Sequence, residues 1–331
     1  MATMSATAMH PLTGGPPGGA VPRLSLGMPL YNAERYVAQA FDGLLAQDFA
    51  DFEIIVSDNA STDRTWEICE EYARRDPRIR LYRNPENLGA AYNYNRTVDL
   101  ARGPLFRWVA YDDVCAPTLL RRCVEALDAD PEAILAYPQT MLIDDDGAPI
   151  RPYRDGLDLR SPRAYRRVAQ YARNWSLCNA VFGVVRTEAL RASGRIRPYP
   201  SSDVVLLAEL AALGRFHEVP ERLFLRRIHQ ASSRQGGTKS LAAVASWFDP
   251  KRAAQAKPRR IQVMRRVTGT LAGLPAPLSQ RLSCIAAFAA VWGLRKAHMK
   301  ASRVKHAVLD RAPALSGSTR RAGVDASRED G

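Results

Sequence analysis

From Arg23 onward the chain alternates short apolar runs with longer stretches in which apolar residues recur at helical spacing. The first helical stretch, residues 34–47, places Val37, Phe41 and Leu44 on one face. Such alternation is typical of βαβ units, in which helices cover a mostly parallel sheet. We therefore predict an α/β fold, with a Rossmann-like, mostly parallel sheet flanked by helices. Four strands are predicted in this part of the chain, at residues 24–28, 52–57, 79–83 and 105–110.

Turn and capping residues separate these elements. Ser61 or Thr62 is suited to cap a helix that runs to about Arg75, and Asp63 in the same turn is also interpreted as a cap. Another helix is predicted at about residues 90–101.

The sequence Asp-Asp-Asp-Gly at residues 144–147 looks like a metal motif. Asp-Gly after an apolar run is a strong hairpin signal, however. We therefore predict a turn there.

Composition divides the chain into four regions. Residues 1–22 are rich in Gly, Pro, Ala and Thr and lack the pattern of a signal peptide, so we predict disorder there. The strand pattern predicts one α/β domain over residues 23–235. Ala- and Arg-rich stretches predict a helical C-terminal appendage over residues 236–314, and the polar residues 315–331 are predicted to be disordered.

A helix predicted at residues 281–296 has a centre that is apolar almost all round. This helix is too short to span a bilayer. Two placements remain open. It packs as a buried helix on the main domain, or it lies on the inner face of the membrane as a peripheral contact, since Arg281, Arg295 and Lys296 flank it.

The formal net charge of +13 favours anionic partners without choosing among nucleotides, lipid headgroups and nucleic acid. The basic residues are spread along the chain, and no helix-turn-helix, zinc or aromatic RNA-reading signature accompanies them. We therefore predict no nucleic-acid partner. The five cysteines are odd in number and show no Cys-x-x-Cys spacing. This predicts buried free thiols and a cytoplasmic, reducing location.

The most informative polar feature is the pair Asp112-Asp113, which follows the fourth predicted strand. Open α/β sheets bind ligands at the carboxyl ends of their strands. A divalent ion that bridges the phosphates of a nucleoside diphosphate needs hard oxygen ligands, which two carboxylates supply. Two adjacent Asp residues at a strand end are also ordinary turn formers. The pair alone leaves both interpretations open.

Four segments around this pair match known motifs in order and spacing. They are residues 28–36 (Met-Pro-Leu-Tyr-Asn-Ala-Glu-Arg-Tyr), 54–63 (Ile-Ile-Val-Ser-Asp-Asn-Ala-Ser-Thr-Asp), 84–90 (Asn-Pro-Glu-Asn-Leu-Gly-Ala) and 108–117 (Trp-Val-Ala-Tyr-Asp-Asp-Val-Cys-Ala-Pro). With them, residues 24–233 resemble the inverting family 2 glycosyltransferases, which have the GT-A fold. The resemblance implies an enzyme that moves a sugar from a nucleoside-diphosphate sugar to an acceptor hydroxyl by metal-assisted direct displacement.

The resemblance also implies the ligands. The donor would be a UDP-, dTDP- or GDP-sugar, the cofactor Mn²⁺ or Mg²⁺, and the acceptor a glycan, a lipid-linked intermediate or a natural product. Many members of the family carry a further acid two positions before the aspartate pair, where this chain has Ala110. The residues that match the donor and metal motifs are Pro29, Tyr31, Glu34, Asp58 and Asp112 for the nucleotide, and Asp113 with Asp112 for the metal.

A helix is predicted to begin near Asp203, capped by Ser201 or Ser202. Alone, Asp203 is an ordinary first-turn acid. The resemblance makes it the general base that takes the proton of the acceptor hydroxyl, a group that direct displacement requires. Glu209 is the alternative base.

Two further candidates lie on either side of this helix. The resemblance assigns Asn179 to the acceptor side. His229 closes an Arg-x-x-His pattern with Arg226-Arg227. These groups either meet the metal or the pyrophosphate, or make structural hydrogen bonds.

Two other function classes share parts of this pattern. A nucleotidyltransferase has a similar donor fold and metal site, but it begins with a Gly-rich basic phosphate loop, which residues 29–34 do not form. A non-catalytic anion- or nucleic-acid-binding protein would account for the charge, but it would not need the acids. The sequence therefore favours a glycosyltransferase.

Overall fold

The computed structural model describes residues 20–229, 241–250 and 260–309. Strands and helices alternate through the first half of the chain, as the apolar pattern predicts. The strands are β1 (Leu24–Leu30), β2 (Phe52–Asp58), β3 (Ile79–Arg83), β4 (Leu105–Trp108), β5 (Val114–Cys115), β6 (Ala133–Ile143), β7 (Pro149–Tyr153), β8 (Val184–Arg186) and β9 (Arg215–Arg227). The helices are α1 (Val37–Leu45), α2 (Thr65–Arg75), α3 (Ala90–Asp99), α4 (Leu119–Ala129), α5 (Ala164–Asn174), α6 (Thr187–Ala192), α7 (Ser202–Leu213), α8 (Leu241–Phe248), α9 (Arg260–Ala272) and α10 (Leu278–Leu309), with a 3-10 turn at Asn179–Phe182.

The strands of the described residues join one sheet in the order β3-β2-β1-β4-β8-β6-β9-β5, with β7 paired to β6. The first four in this order are parallel. Beyond β4 the sheet is mixed: β8 is antiparallel to β4 and β6, whereas β9 is parallel to β6. The predicted fold class is confirmed. Because parallel strands end at the same edge, the residues that follow β1, β2 and β4 meet there.

The core lies between this sheet and the helices that cover it. Every residue of β1 and β2 is buried, as expected for strands covered on both faces. Phe41 of α1 is fully buried, and its ring stacks on that of Tyr72 in α2 with 4.6 Å between centroids. Burying a large apolar side chain contributes about 1.5–3 kcal/mol. The core therefore fixes the helices, and with them the loops at the strand ends. The five cysteines are free and buried, as predicted.

Two differences from the predicted element boundaries lie close to the carboxyl end of β1. β1 continues through Pro29 to Leu30 rather than ending at Met28. Its pairing with β4 stops at Gly27, so the missing N–H of Pro29 removes no hydrogen bond on that side. Helix α1 begins at Val37 and not at residue 34, because the preceding residues form a turn.

The predicted serine caps are wrong. Helix α2 begins at Thr65, with Arg64 as its N-cap residue and no side-chain capping bond. Asp63, one residue earlier, accepts the N–H of Thr65 at 3.0 Å, so it binds the start of the helix without being its N-cap. In α7 the N-cap residue Ser201 has φ 65° and makes no side-chain capping bond.

The hairpin predicted at residues 144–147 is confirmed. It joins the antiparallel strands β6 and β7, and Gly147 has φ 92°, a conformation that glycine adopts without strain. Asp144 Oδ1 accepts the N–H groups of Asp146 and Ala148 at 3.1 and 2.8 Å. This aspartate thus closes its own turn.

The chain divides into a compact unit that ends at Val291 and a second unit, Trp292–Gly331. Helices α8 and α9 and the first part of α10 belong to the first unit. Within it, Cys284 and Phe288 of α10 are buried, whereas Leu278 and Leu282 are exposed. No helix among the described residues combines the length and apolar character needed to cross a membrane. The predicted domain boundary at residue 235 and most of the two predicted disordered segments lie outside the described residues.

Candidate active site

Asp58 ends β2 at the edge of the sheet where the parallel strands terminate. The register of β2 and β3 sets it beside Arg83, whose Nε lies 3.0 Å from Asp58 Oδ2. The N–H of Ser61 donates to both carboxylate oxygens. Asp58 is fully buried, and burial raises its pKa, while Ser61 and Arg83 act in the opposite direction. This carboxylate is therefore held at the strand end by its neighbours on both sides.

The predicted nucleotide residues of the first motif lie in the last part of β1 and in the turn that follows it. Pro29 is buried within the strand, whereas Tyr31 is 40% exposed at its end. Glu34 is exposed as well, but its Oε2 accepts the N–H of Arg64 at 3.0 Å, and its own N–H donates to Asp63 at 3.2 Å. Glu34 thus ties this turn to the start of α2. Tyr31 leaves part of its aromatic side chain open to solvent.

Asp113 lies directly before β5, which pairs antiparallel with the end of β9. This pairing brings the N–H of Arg227 to 2.9 Å from Asp113 Oδ1. Burial, together with the charge of Asp112, raises the pKa of Asp113 to about 8, although Arg226 and Arg107 favour its ionised form. A cation bound close to Asp113 would stabilise its ionised carboxylate and lower this pKa.

Asp112 and His229 meet at the same place, with 2.9 Å between Asp112 Oδ2 and His229 Nε2. The antiparallel register of β5 and β9, continued beyond β5, brings Asp112 opposite Arg227, and His229 follows two residues later. The His229 ring is buried, 5.3 Å from the ring of Tyr36. Two predicted metal-site residues that are 117 positions apart are thus neighbours.

The donor set suits a divalent ion that arrives with a diphosphate. Among the described residues, no three His, Cys, Asp or Glu side chains converge as a ready-made metal cage. Mg²⁺ in nucleotide sites is usually held by only one or two carboxylates, with substrate phosphates and water completing its shell. Asp112 and Asp113, with the imidazole of His229 beside them, match that requirement.

Arg227, the last residue of β9, connects the aspartate pair to its surroundings. Its Nε donates to the carbonyl oxygen of Asp112 at 2.9 Å, and its Nη1 donates to those of Asp144 and Asp145 at 3.0 and 2.7 Å. Its Nη2 donates to Gln39 Oε1 at 2.6 Å. One buried guanidinium therefore joins the Asp112 loop, the β6–β7 hairpin and α1.

The ring of Tyr36 completes this connection. The Arg227 guanidinium lies 4.7 Å from its centroid, and its hydroxyl donates to Asp145 Oδ1 at 2.7 Å. Asp145 also pairs with Arg35 at 2.8 Å. Sequence reasoning considered Arg227 as a pyrophosphate ligand, but the contacts seen here are all within the protein. The hairpin that resembles a metal motif therefore supports the site through its contacts with Arg227.

Asp203 lies in the first turn of α7, where the helix dipole favours a negative charge. Its Oδ1 accepts the N–H of Val204 at 2.9 Å. The charges of Asp112, Asp113 and Asp203 each add to the effect of burial in raising the pKa of Tyr94. The predicted base and the predicted metal ligands therefore all lie within electrostatic range of one tyrosine of α3.

The alternative base has a different environment. Glu209 is 7% exposed, forms an ion pair with Arg197 at 3.1 Å and accepts the N–H of Gly194 at the same distance. These partners hold it inside the protein. The geometry favours Asp203 as the group that an acceptor can reach.

Asn179 opens the 3-10 turn and is 2% exposed. Its Nδ2 donates to Thr140 Oγ1 at 3.1 Å, its N–H donates to Asp155 at 3.3 Å, and its Oδ1 accepts a hydrogen bond from Arg226. These bonds connect it to β6 and to the end of β9. The polar atoms of Asn179 are therefore engaged by the protein.

Sequence reasoning did not single out Tyr36, Tyr94 or Asp145. A tyrosine on an amphipathic helix usually indicates core packing, and an aspartate in an Asp-Gly turn usually indicates the turn alone. Nothing in the local pattern distinguishes these residues from ordinary structural ones. Their contacts with the site depend on which strands pair.

The raised pKa of Asp113 predicts a pH-dependent stability of the metal-free protein. In the folded chain this pKa is about 8, against an ordinary value of 3.8, so unfolding releases a proton anywhere between those values. Stability then falls as the pH rises from about 4 to about 8. Asp113→Asn removes the ionisable group, so its melting temperature in EDTA should exceed that of wild type at pH 8 and approach it at pH 5.

The matched control is Asp146→Asn, which changes an exposed acid of the hairpin. Its melting temperature should differ from that of wild type by an amount that does not depend on pH. A difference between Asp113→Asn and wild type that stays constant from pH 5 to 8 would show that Asp113 does not titrate in this range.

Comparison with known proteins identifies the family and the fold. The family model described as glycosyl transferase family 2 matches residues 25–193, which are 169 of the 331 residues. EpsJ of Bacillus subtilis, an uncharacterized glycosyltransferase, is 35% identical over 105 residues, which are 32% of this chain and 30% of that protein. An uncharacterized glycosyltransferase of Haemophilus influenzae is 25% identical over 213 residues, or 63% of this chain and 66% of the relative. The chain thus spans less than two thirds of the length of each of these relatives.

The fold also has a counterpart among solved structures. Residues 1–349 of Staphylococcus aureus TarS, crystallised in complex with UDP-GlcNAc, superpose with a TM-score of 0.60. The likeness covers 80% of this chain and 71% of that chain at 18% identity, so it concerns the fold. With the family model matching more than half of its length, the chain belongs to glycosyl transferase family 2.

Proposed function

We propose that this protein transfers a sugar from a nucleoside-diphosphate sugar to an acceptor hydroxyl, with inversion at the anomeric carbon. The position of Asp58 and the pair Asp112-Asp113 at the ends of parallel strands, at one edge of the sheet, carries this proposal. We assign the pair to the diphosphate and Asp203, which lies within electrostatic range of Tyr94 as the pair does, to the base. Family membership supports the same reaction class.

The donor is proposed to lie along the carboxyl ends of β1, β2 and β4. Tyr31 and Asp58 are assigned to the nucleoside, because one offers an exposed ring and the other a fixed carboxylate at adjacent strand ends. The TarS structure of the same fold holds UDP-GlcNAc, which is one member of the UDP-, dTDP- and GDP-sugars proposed as donors.

Asp112 and Asp113 are proposed to hold Mn²⁺ or Mg²⁺ together with the diphosphate. When bound, the ion offsets the negative charge that develops on the departing nucleoside diphosphate. His229 orients the Asp112 carboxylate through their contact of 2.9 Å. Arg227 holds the backbone of the pair in place.

Asp203 is proposed to accept the proton of the acceptor hydroxyl. As that oxygen forms its bond to the anomeric carbon, the bond from this carbon to the diphosphate oxygen breaks, and the electron pair leaves with the diphosphate. Attack comes from the face opposite the leaving group, so the configuration inverts. General-base catalysis of this kind contributes about 10²- to 10⁴-fold in rate.

Slow donor hydrolysis tests the proposal without a known acceptor. The purified chain is incubated with UDP-, dTDP- and GDP-sugars in Mn²⁺, Mg²⁺ or EDTA, and the nucleoside diphosphate released is measured. We expect release from one nucleotide class that EDTA abolishes, and an initial sugar product of inverted configuration by NMR. Asp112→Asn should lower the release at least about tenfold by weakening metal binding.

Asp146→Asn is again the matched control. It removes an acid from the hairpin motif that resembles a metal site, and it should leave the release unchanged. If wild type binds and hydrolyses none of these donors in either metal, or if Asp112→Asn hydrolyses them as well as wild type does, the proposed function is wrong.

A further inference from the structure

Helix α8 presents one large aromatic side chain to solvent. Trp247 is 43% exposed although it makes two edge contacts. Its ring centroid lies 4.8 Å from that of Phe248 at an interplanar angle of 89°, and 6.4 Å from that of Tyr94 at 68°. These contacts fix the orientation of the indole while much of it stays open. An aromatic ring that is both held and exposed is typical of a binding surface.

Contacts at its end hold α8 at the edge of the sheet that carries the site. A Cβ added to Gly89 would lie 2.6 Å from the carbonyl oxygen of Phe248 and 2.8 Å from the side chain of Pro250. The end of α8 therefore rests directly on the loop before α3, and Gly89 is required there for lack of a side chain. Its φ of 86° adds a second reason for glycine.

Tyr94 links Trp247 to the catalytic carboxylates. It is the ring against which Trp247 packs, and it also lies 5.9 Å from the ring of Trp108, the last residue of β4, which precedes the Asp112 loop. Tyr94 therefore contacts both the exposed indole and the strand end where the reaction is proposed to occur. Trp247 lies on a helix, apart from the strands whose ends carry the predicted nucleotide-binding residues.

We propose that Trp247 forms the wall of a subsite for the acceptor, and that the acceptor presents a pyranose ring there. The inference rests on the proposed function. One face of a pyranose carries several C–H groups with partial positive charge, and the face of an indole is negative, so the two surfaces attract and pack. The position beside Tyr94 suits a sugar whose hydroxyl must approach Asp203.

The test compares three variants in a transfer assay. Trp247→Ala removes the ring, Trp247→Phe keeps a smaller one, and Tyr92→Ala is the matched control. Tyr92 is 50% exposed on α3. It lies two residues from Tyr94, about 200° around the helix, and so on a different face of α3 from Tyr94. Methyl glycosides of glucose, galactose, mannose, N-acetylglucosamine and glucuronic acid serve as acceptor probes, with the donor that wild type hydrolyses.

Trp247→Ala should raise the KM for the methyl glycoside roughly tenfold, and more than it raises the KM for the donor. Trp247→Phe should recover part of the loss, and Tyr92→Ala should behave like wild type. In wild type, saturation-transfer NMR should show the C–H face of the glycoside in contact with the protein. That contact should weaken in Trp247→Ala.

Several results would overturn the inference. One is a change confined to the KM for the donor, which would place the donor sugar on Trp247. Another is equal loss in Trp247→Ala and Tyr92→Ala, which would indicate a structural effect. A third is wild-type protein that hydrolyses its donor but neither contacts nor glycosylates any methyl glycoside. Absence of donor hydrolysis would instead count against the proposed function.

Discussion

Asp203→Asn is expected to lower sugar transfer about 10²- to 10⁴-fold. Asn has nearly the same shape and can still accept the N–H of Val204 through its oxygen, as Asp203 Oδ1 does at 2.9 Å. It cannot take a proton from the acceptor hydroxyl. The nucleotide residues and the aspartate pair are unchanged, so the affinity for the nucleoside diphosphate with Mn²⁺ should remain close to that of wild type. Initial rates of transfer and calorimetric titration measure the two quantities separately.

Glu209→Gln provides the comparison, because Glu209 is the other acid of α7 considered for the role. It should lower the melting temperature by weakening the contact with Arg197, while the transfer rate of the folded protein stays near that of wild type. If Asp203→Asn transfers sugar as fast as wild type and Glu209→Gln does not, the base is Glu209.

Arg227→Lys is expected to destabilise the protein by about 1–3 kcal/mol for each buried carbonyl group that it leaves without a donor. Lys keeps the positive charge but lacks the planar fork, so it cannot donate at once to the carbonyls of Asp112, Asp144 and Asp145. Those acceptors are left with fewer partners in a buried place. The midpoint of urea unfolding measures this loss.

The same variant should also weaken the binding of Mn²⁺ with the nucleoside diphosphate, measured by electron paramagnetic resonance below the unfolding transition. The reason is that Arg227 positions the Asp112 backbone through the bond of 2.9 Å. Arg222→Lys is the control, because Arg222 is an exposed residue of the same strand. Its effect should stay within about 0.5 kcal/mol. Equal unfolding midpoints for the two variants would show that the contacts of Arg227 contribute no stability.

The sequence predicted the sheet-forming half of the fold well. The strands at Phe52–Asp58, Ile79–Arg83 and Leu105–Trp108 lie within two residues of their predicted bounds. Buried parallel strands are continuous apolar runs, and these signals are local. The predicted ends of strands were less accurate where a residue type can either end or continue a strand. Pro29 ends many strands, but here it continues β1 because the pairing with β4 has already stopped.

The residues of the candidate site also differ in how far local sequence predicts them. Asp58 and the pair Asp112-Asp113 could be recognised from sequence because each directly follows an apolar strand, and parallel strands end together. Asp203 could be recognised because it opens a helix in a known order of motifs. Each of these predictions depends on a single strand or helix, so patterns among neighbouring residues are sufficient to make it.

The partners of these residues depend on pairing between distant segments. The antiparallel contact of β5 with β9 brings His229 to Asp112 and the N–H of Arg227 to Asp113. The fold of the β6–β7 hairpin then presents backbone carbonyls to the same arginine.

Hydrophobic period and turn chemistry therefore specified the strands, the helices and the acids at the strand ends, since those signals come from neighbouring residues. Which side chains surround these acids was set by strand order and register. A charged residue such as Arg227 has the same local pattern whether it faces solvent, a diphosphate or three carbonyl groups. Its role follows from burial, which arises only when distant strands pack together.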